Sequence, residues 1–183
     1  MKKLIIMSFL ILGTMLALSC SNQDILTEAP PDENNLGDVN HSVNGETLQA
    51  ELNFLEIKTI AYNRFTVALS RGYDTDLTGY VPNMGHHFAN MDLVDGIFDL
   101  DKPETLLYVP DTEGNMQFVG VEYLILREAL EDPNTPPEGF TGSEDDWEIV
   151  GPFWTLHVWI ALDNPDGIFA HENPNVPAES PAG

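Results

Sequence analysis

The chain has 183 residues, with 30 acidic side chains against 7 basic ones and a formal net charge of −23. A field of that sign repels nucleic-acid phosphates and attracts cations, so DNA and RNA are excluded as partners. Only one cysteine is present, so no disulfide forms within the chain and a hydrophobic core must stabilise it, for which the length suffices.

Residues 1–20 read MKKLIIMSFLILGTMLALSC, two lysines before an apolar run from Leu4 to Leu18, then Ser19 and Cys20. That is the order of a secretory signal, and the run is shorter than the roughly 20 apolar residues of a spanning helix. Cys20 stands where a bacterial lipoprotein signal places its lipidated residue, although Ala17 occupies the position where leucine is usual. The expectation is a signal peptide over 1–19 and a palmitate-bearing anchor on Cys20. The anchor would hold the protein to a membrane of the cell envelope, the outer one in the first instance; a short N-terminal membrane anchor is the other reading. Residues 20–46 are rich in Asn, Asp, Glu, Pro and Gly, lack aromatics, and read as a flexible acidic tether containing a solvated His41.

Beyond Thr47 the pattern changes. Leu48, Leu52, Leu55, Thr59, Tyr62, Thr66 and Leu69 recur at helical spacing, with Phe54, Ile57, Ala61, Phe65 and Ala68 beside them. That spacing predicts one long helix, capped by Thr47 and ended at Gly72. PNMGHHF (82–88) reads as a loop. TLLYV (105–109), MQFVGVEYLIL (116–126) and TLHVWIAL (155–162) carry strand composition. PDTEGN (110–115) reads as a hairpin connection, with Gly114 available for positive φ. EDPNTPPEGFTGSEDD (131–146) is too polar for a core, and 177–183 reads as a disordered tail. The fold class expected is α+β, a long N-terminal helix packed on an antiparallel sheet or a partly closed β-barrel, in one domain over 47–176.

Strand alternation singles out two residues. In 116–126, Val119, Val121, Tyr123 and Ile125 share one face and Phe118, Gly120, Glu122, Leu124 and Leu126 the other, leaving Glu122 an ionisable group among apolar neighbours. In 155–162, His157 lies with Thr155, Trp159 and Ala161. A carboxylate or imidazole in a core strand needs a partner or a metal to offset desolvation. Pairing Glu122 with His157, under His86 and His87, gathers one carboxylate and two or three imidazoles, a donor set suited to zinc or iron. His171 is a further candidate. The alternatives are an exposed Glu122, a His157 satisfied by a backbone carbonyl or by Glu122, and loop histidines without a ligand role. The acids of 92–101 and 163–167 lack the EF-hand order and read as turn residues. No phosphate loop and no G-x-S-x-G element is present.

The elements ALSRGY (Ala68 to Tyr73), MGHHF (84–88), PETLLY (103–108), VEY (121–123), LHVW (156–159), NPDGIF (164–169) and NPNV (173–176) occur in one order. In this the chain resembles a group of uncharacterised exported bacterial proteins and lipoproteins. The resemblance implies that His87, rather than His86, is the motif histidine, and it places His87, Glu122 and His157 in shared elements. Similar chains often carry cysteines before the MG-x-H element and at the C-terminus; this one has neither. The resemblance implies a site and no activity.

The reading is therefore an envelope lipoprotein whose domain binds one divalent transition metal or a small ligand at His87, Glu122 and His157. Tyr123, Trp159 and Phe88 are expected to wall the pocket. A metal-dependent enzyme using the same ligands is one alternative. A metal-free interaction module, with Glu122 and His157 as a buried pair and WEIVGPFW (147–154) as partner surface, is the other.

Overall fold

The computed structural model describes residues 39–142 and 145–183, with side chains from residue 47 onward. The signal segment, Cys20 and most of the tether lie outside the described residues. The first described element is helix α1 (Val39–Thr59), followed by a 3-10 turn (Ile60–Asn63) and a short helix α2 (Phe65–Ser70). Six strands follow: β1 (Thr75–Asp76), β2 (His86–Ala89), β3 (Thr105–Pro110), β4 (Met116–Leu126), β5 (Glu148–Val150) and β6 (Phe153–Val158). They form one antiparallel sheet in the order β1-β2-β3-β4-β6-β5, and the sheet is not closed. No helix among the described residues is long and apolar enough to cross a membrane.

The single helix expected from Thr47 to Gly72 does not form. It begins upstream of Thr47 and breaks after Thr59, and Arg64 is extended at φ −100°, ψ 99°. Two side chains compete with the helical ladder there. The Thr59 hydroxyl donates back to the Leu55 carbonyl at 2.8 Å, and the Tyr108 hydroxyl, from the sheet, donates to the Tyr62 carbonyl at 2.7 Å. The break also resets the phase of burial. Before it Leu55, Thr59 and Tyr62 are buried, while Ile57 is 70% exposed. After it Phe65 and Ala68 face the core and Leu69 turns outward. Helix α2 does end at Gly72 as expected, with φ +92° and the Tyr73 and Gly72 amides donating to the Ala68 and Leu69 carbonyls.

PNMGHHF is not a loop throughout. His86–Ala89 form β2, paired antiparallel with β3, with His87 opposite Leu107. The Met-Gly step before them is the end of a tight reversal in which the Val81 and Gly85 amides and carbonyls bond each other at 2.9 Å. Gly85 has φ +88°, and a Cβ there would lie 2.4 Å from the Tyr108 carbonyl oxygen, so only glycine lets the strand start at this place. The hairpin over 110–115 forms as expected, with Gly114 at φ +85°.

Strand β4 is buried on both faces, and a bulge shifts its side-chain phase. Leu107 pairs with Gly120 while Tyr108 pairs with Phe118, which leaves Val119 as the extra residue. The simple alternation fails at that point. Phe118 joins Val121 and Tyr123 on the helix side, and Val119 joins Leu107, Val109, Trp159 and Val176 on the other. From Glu122 onward the expected phase holds. Segment 131–146 also departs from expectation, since Phe140 is buried against Phe98 and Phe169. Its neighbour Thr141 ties the segment to α1 through the Glu51 carboxylate, by backbone amide and hydroxyl at 2.9 and 2.8 Å.

Candidate metal centre

Glu122 and His157 are direct cross-strand partners on β4 and β6, so their side chains leave the same face of the sheet. His87 shares that face because it stands opposite Leu107, which in turn stands opposite Gly120. Strands lie about 4.8 Å apart in a sheet, which would put β2 and β6, three steps apart, about 14 Å from each other if the sheet were flat. The two imidazoles nevertheless meet, His87 Nε2 to His157 Nε2, at 3.3 Å. The face is therefore concave, curled towards its own functional side chains. Gly120 contributes to this curvature: a Cβ there would sit 2.6 Å from the Val158 carbonyl oxygen, so glycine lets the end of β6 close in.

Glu122 completes the group. Its Oε1 lies 3.8 Å from His157 Nε2 and its Oε2 4.0 Å from His87 Nε2. Those separations exceed a hydrogen bond. Two ligands at the tetrahedral angle on an ion with bonds of about 2.0–2.1 Å stand about 3.3–3.4 Å apart, close to what the two nitrogens show. One ligand atom from each of the three residues lies within 4.8 Å of the others, and all three residues are buried. This buried cluster can hold a metal ion.

The surroundings fix the ligand atoms. The Thr78 hydroxyl donates its one proton to the Gly79 carbonyl at 2.8 Å, so in its 3.0 Å contact with His87 Nδ1 it accepts. With the hydroxyl proton on the Gly79 carbonyl, His87 is assigned its proton on Nδ1, which leaves Nε2 as the lone pair facing Glu122 and His157. Asp76 sets this loop, because its Oδ1 accepts from the Gly79 amide at 3.0 Å. The His157 ring stacks on Trp159 at 5.9 Å and 9°, and the Trp159 Nε1–H is held by the Ala170 carbonyl at 2.7 Å.

Burial sets the charge state. It brings the His87 imidazole down to about 4. It lowers that of His157 well below the usual range, with His87 adding to the effect. It also pushes the Glu122 carboxyl up to about 8, with Glu104 contributing. At neutral pH both rings are neutral and Glu122 is mostly protonated, so the contacts at 3.8 and 4.0 Å are not ion pairs. With both rings neutral, His157 Nε2–H points at His87 Nε2. A divalent cation would replace the two protons held by His157 Nε2 and Glu122 and reverse the preference for neutral groups.

His86 is placed elsewhere. It leaves the opposite side of β2, where its Nδ1 meets Asp76 Oδ2 at 2.8 Å. His171 stands at the rim, edge-on to the His157 ring at 5.1 Å, with its Nδ1 3.1 Å from Glu148 Oε2. Phe88 and Tyr123 do not wall the site; both belong to the helix-side core. Trp159 backs His157 instead. The cluster opens into a pocket of about 460 Å³ whose walls include Leu77, Leu124, Val150 and Phe153, with Thr155 in its floor. Sequence reasoning missed these walls. Leu77 follows β1 and Val150 ends β5, so the two edges of the sheet approach one pocket only because the sheet curls. No family model matches the chain, and no curated protein and no solved structure matches it.

Proposed function

We propose that the chain is a lipoprotein of the cell envelope, tethered through Cys20, whose sheet domain binds one divalent transition metal, zinc or ferrous iron, at His87, Glu122 and His157. One observation carries the metal reading: three buried ligand groups from three different strands converge on a common point with no hydrogen bond between carboxylate and imidazoles. Burying an acid beside two imidazoles without such bonds is costly, and a cation removes the cost. Two histidines and one carboxylate are the donor set of open zinc and iron(II) sites. The envelope reading is supported by the lysine–apolar–Ser19–Cys20 order of the first twenty residues and by the resemblance to exported bacterial proteins. Its partners are then a membrane, through the lipid, and a metal or small ligand, and no nucleic acid.

A second reading, a metal-dependent enzyme, is favoured by the pocket itself. His87, Glu122 and His157 would hold an ion with three protein ligands, fewer than four, and they line the pocket at whose rim His171 pairs with Glu148. In such a site the ion would supply Lewis acidity and an activated water, and His171 is the nearest imidazole free of the ligand set.

The test is metal content. The full chain, purified in detergent without chelator or affinity metal, is analysed for bound metal beside His87→Ala. About one equivalent in the wild type, absent from the variant, is the expected result. Failure of both to take up zinc, iron, copper, manganese or nickel would leave the interaction-module reading in its place.

A further inference from the structure

The pocket over the cluster is larger and more apolar than one ion needs. Its volume of about 460 Å³ falls within the range of small-molecule sites, and its walls are chiefly aliphatic and aromatic. Its floor holds one further polar group. Thr155 is 2% exposed, lines the pocket, and its Oγ1 has no hydrogen-bond partner among the described residues. It pairs with Leu124 across β4 and β6, one step beyond Glu122 on the same face as His157. Native interiors rarely leave such a hydroxyl unpaired, and where they do a ligand, ion or water commonly accounts for it.

We propose that this pocket takes a small organic acid with an apolar chain. Its carboxylate occupies the metal's open position and accepts a hydrogen bond from the Thr155 hydroxyl, while its chain lies against Leu77, Val150 and Phe153. The proposal rests on the metal reading above. Charge selects the head group: a divalent ion with one carboxylate ligand, Glu122, keeps one positive charge, which a monoanion neutralises and an alcohol or amine does not. The acidic surface does not oppose this at close range. Exposed charges are screened beyond about 8 Å at physiological ionic strength, so the net charge slows the arrival of an anion more than it weakens contacts inside the pocket. Shape selects the tail, because a bare inorganic anion would leave the apolar walls unused.

The test uses the full chain loaded with Co(II), whose visible bands report the coordination sphere, titrated with acetate, hexanoate and hexanol. Hexanoate is expected to shift the bands and to bind at least tenfold more tightly than acetate, since each buried methylene contributes about fourfold. Hexanol is expected to leave the bands unchanged. Thr155→Val should weaken hexanoate about tenfold with Co(II) still bound, and Thr155→Ser should restore it. Val150→Asp, at a half-exposed wall position, should erase the preference for hexanoate over acetate. Equal binding of the two acids, bands insensitive to hexanoate, or Thr155→Val without effect would each overturn the proposal and leave the metal reading intact. A chain that takes up no Co(II) would overturn both.

Discussion

The two faces of the sheet are made from the same strands and differ in how their polar groups are treated. On the helix side three tyrosine hydroxyls are matched. Tyr73 donates to the Pro103 carbonyl at 2.9 Å, Tyr108 to Tyr62 at 2.7 Å and Tyr123 to Leu100 at 2.8 Å, within a continuous aromatic cluster. On the concave side the Thr105 and Thr155 hydroxyls have no partner among the described residues, and Glu122 sits beyond hydrogen-bond reach of its imidazole neighbours. The helix side is not fully paired either, since the Trp147 and Trp154 indole N–H groups have no partner among the described residues. What sets the concave side apart is that its unpaired hydroxyls stand beside a carboxyl and two imidazoles on neighbouring strands, as at a ligand site.

Substitutions on the two faces should therefore differ in sign as well as size. Tyr108→Ala, on the helix side, should cost about 3–5 kcal/mol in urea unfolding, with metal affinity of the folded fraction unchanged. If metal binding fell in parallel, the faces would not be separable. Glu122→Leu, on the concave side, should do the reverse. It should abolish metal uptake and raise the stability of the metal-free protein at pH 8 by about 1–4 kcal/mol, as replacement of buried charged groups by apolar ones often does. A loss of stability instead would mean that Glu122 is a structural acid.

The pH dependence is next in size. Burial raises the carboxyls of Glu104 and Glu122 to about 8, so the folded chain retains two protons that the unfolded chain releases near its usual carboxylate range. Stability of the metal-free protein accordingly falls as pH rises towards 8, by about 1.4 kcal/mol per pH unit for each carboxyl. The imidazoles act in the opposite sense, because His87 and His157 stay neutral in the fold while unfolded histidine still takes up protons. Their contribution is nearly complete above about pH 7.5, roughly one unit past the unfolded imidazole. At about pH 7.5–8 the carboxyl effect should therefore dominate, and Glu122→Gln or saturating zinc should roughly halve the slope of urea midpoints there. A flat profile would show that neither acid keeps its proton. Smallest of all is the comparison of single hydroxyls: Tyr108→Phe should cost about 1 kcal/mol and Thr105→Val close to nothing.

The sequence pattern reveals some of this and hides the rest for definable reasons. Strand β4 is legible over its whole length because its β-branched and aromatic residues are bounded by a hairpin with a glycine. Glu122 and His157 stand out because each is ionisable within an apolar strand, and a bulge upstream at Val119 leaves both on the face expected for them. The helix break is invisible to periodicity, since one of its causes is the hydroxyl of Tyr108, which arrives from a strand far along the chain. Strand β2 is hidden because two histidines and a preceding glycine resemble loop composition. The pocket walls escape for a third reason. Curvature depends on the close approach at Gly120, and strand patterns record which face a residue is on but not how far the face bends. Thr155 carries no signal at all, because threonine is ordinary in strands.

The three ligands belong to β2, β4 and β6, and the two histidines are 70 residues apart in the chain. No two of the three native ligands are close in sequence, so an unfolded chain cannot assemble this set locally, and closing loops of that length is entropically costly. Affinity should therefore arise late, only after distant strands have found their register. Uptake of the ion then serves as a marker of completed folding, and nearly all of its binding free energy goes to the native state and almost none to partly assembled forms.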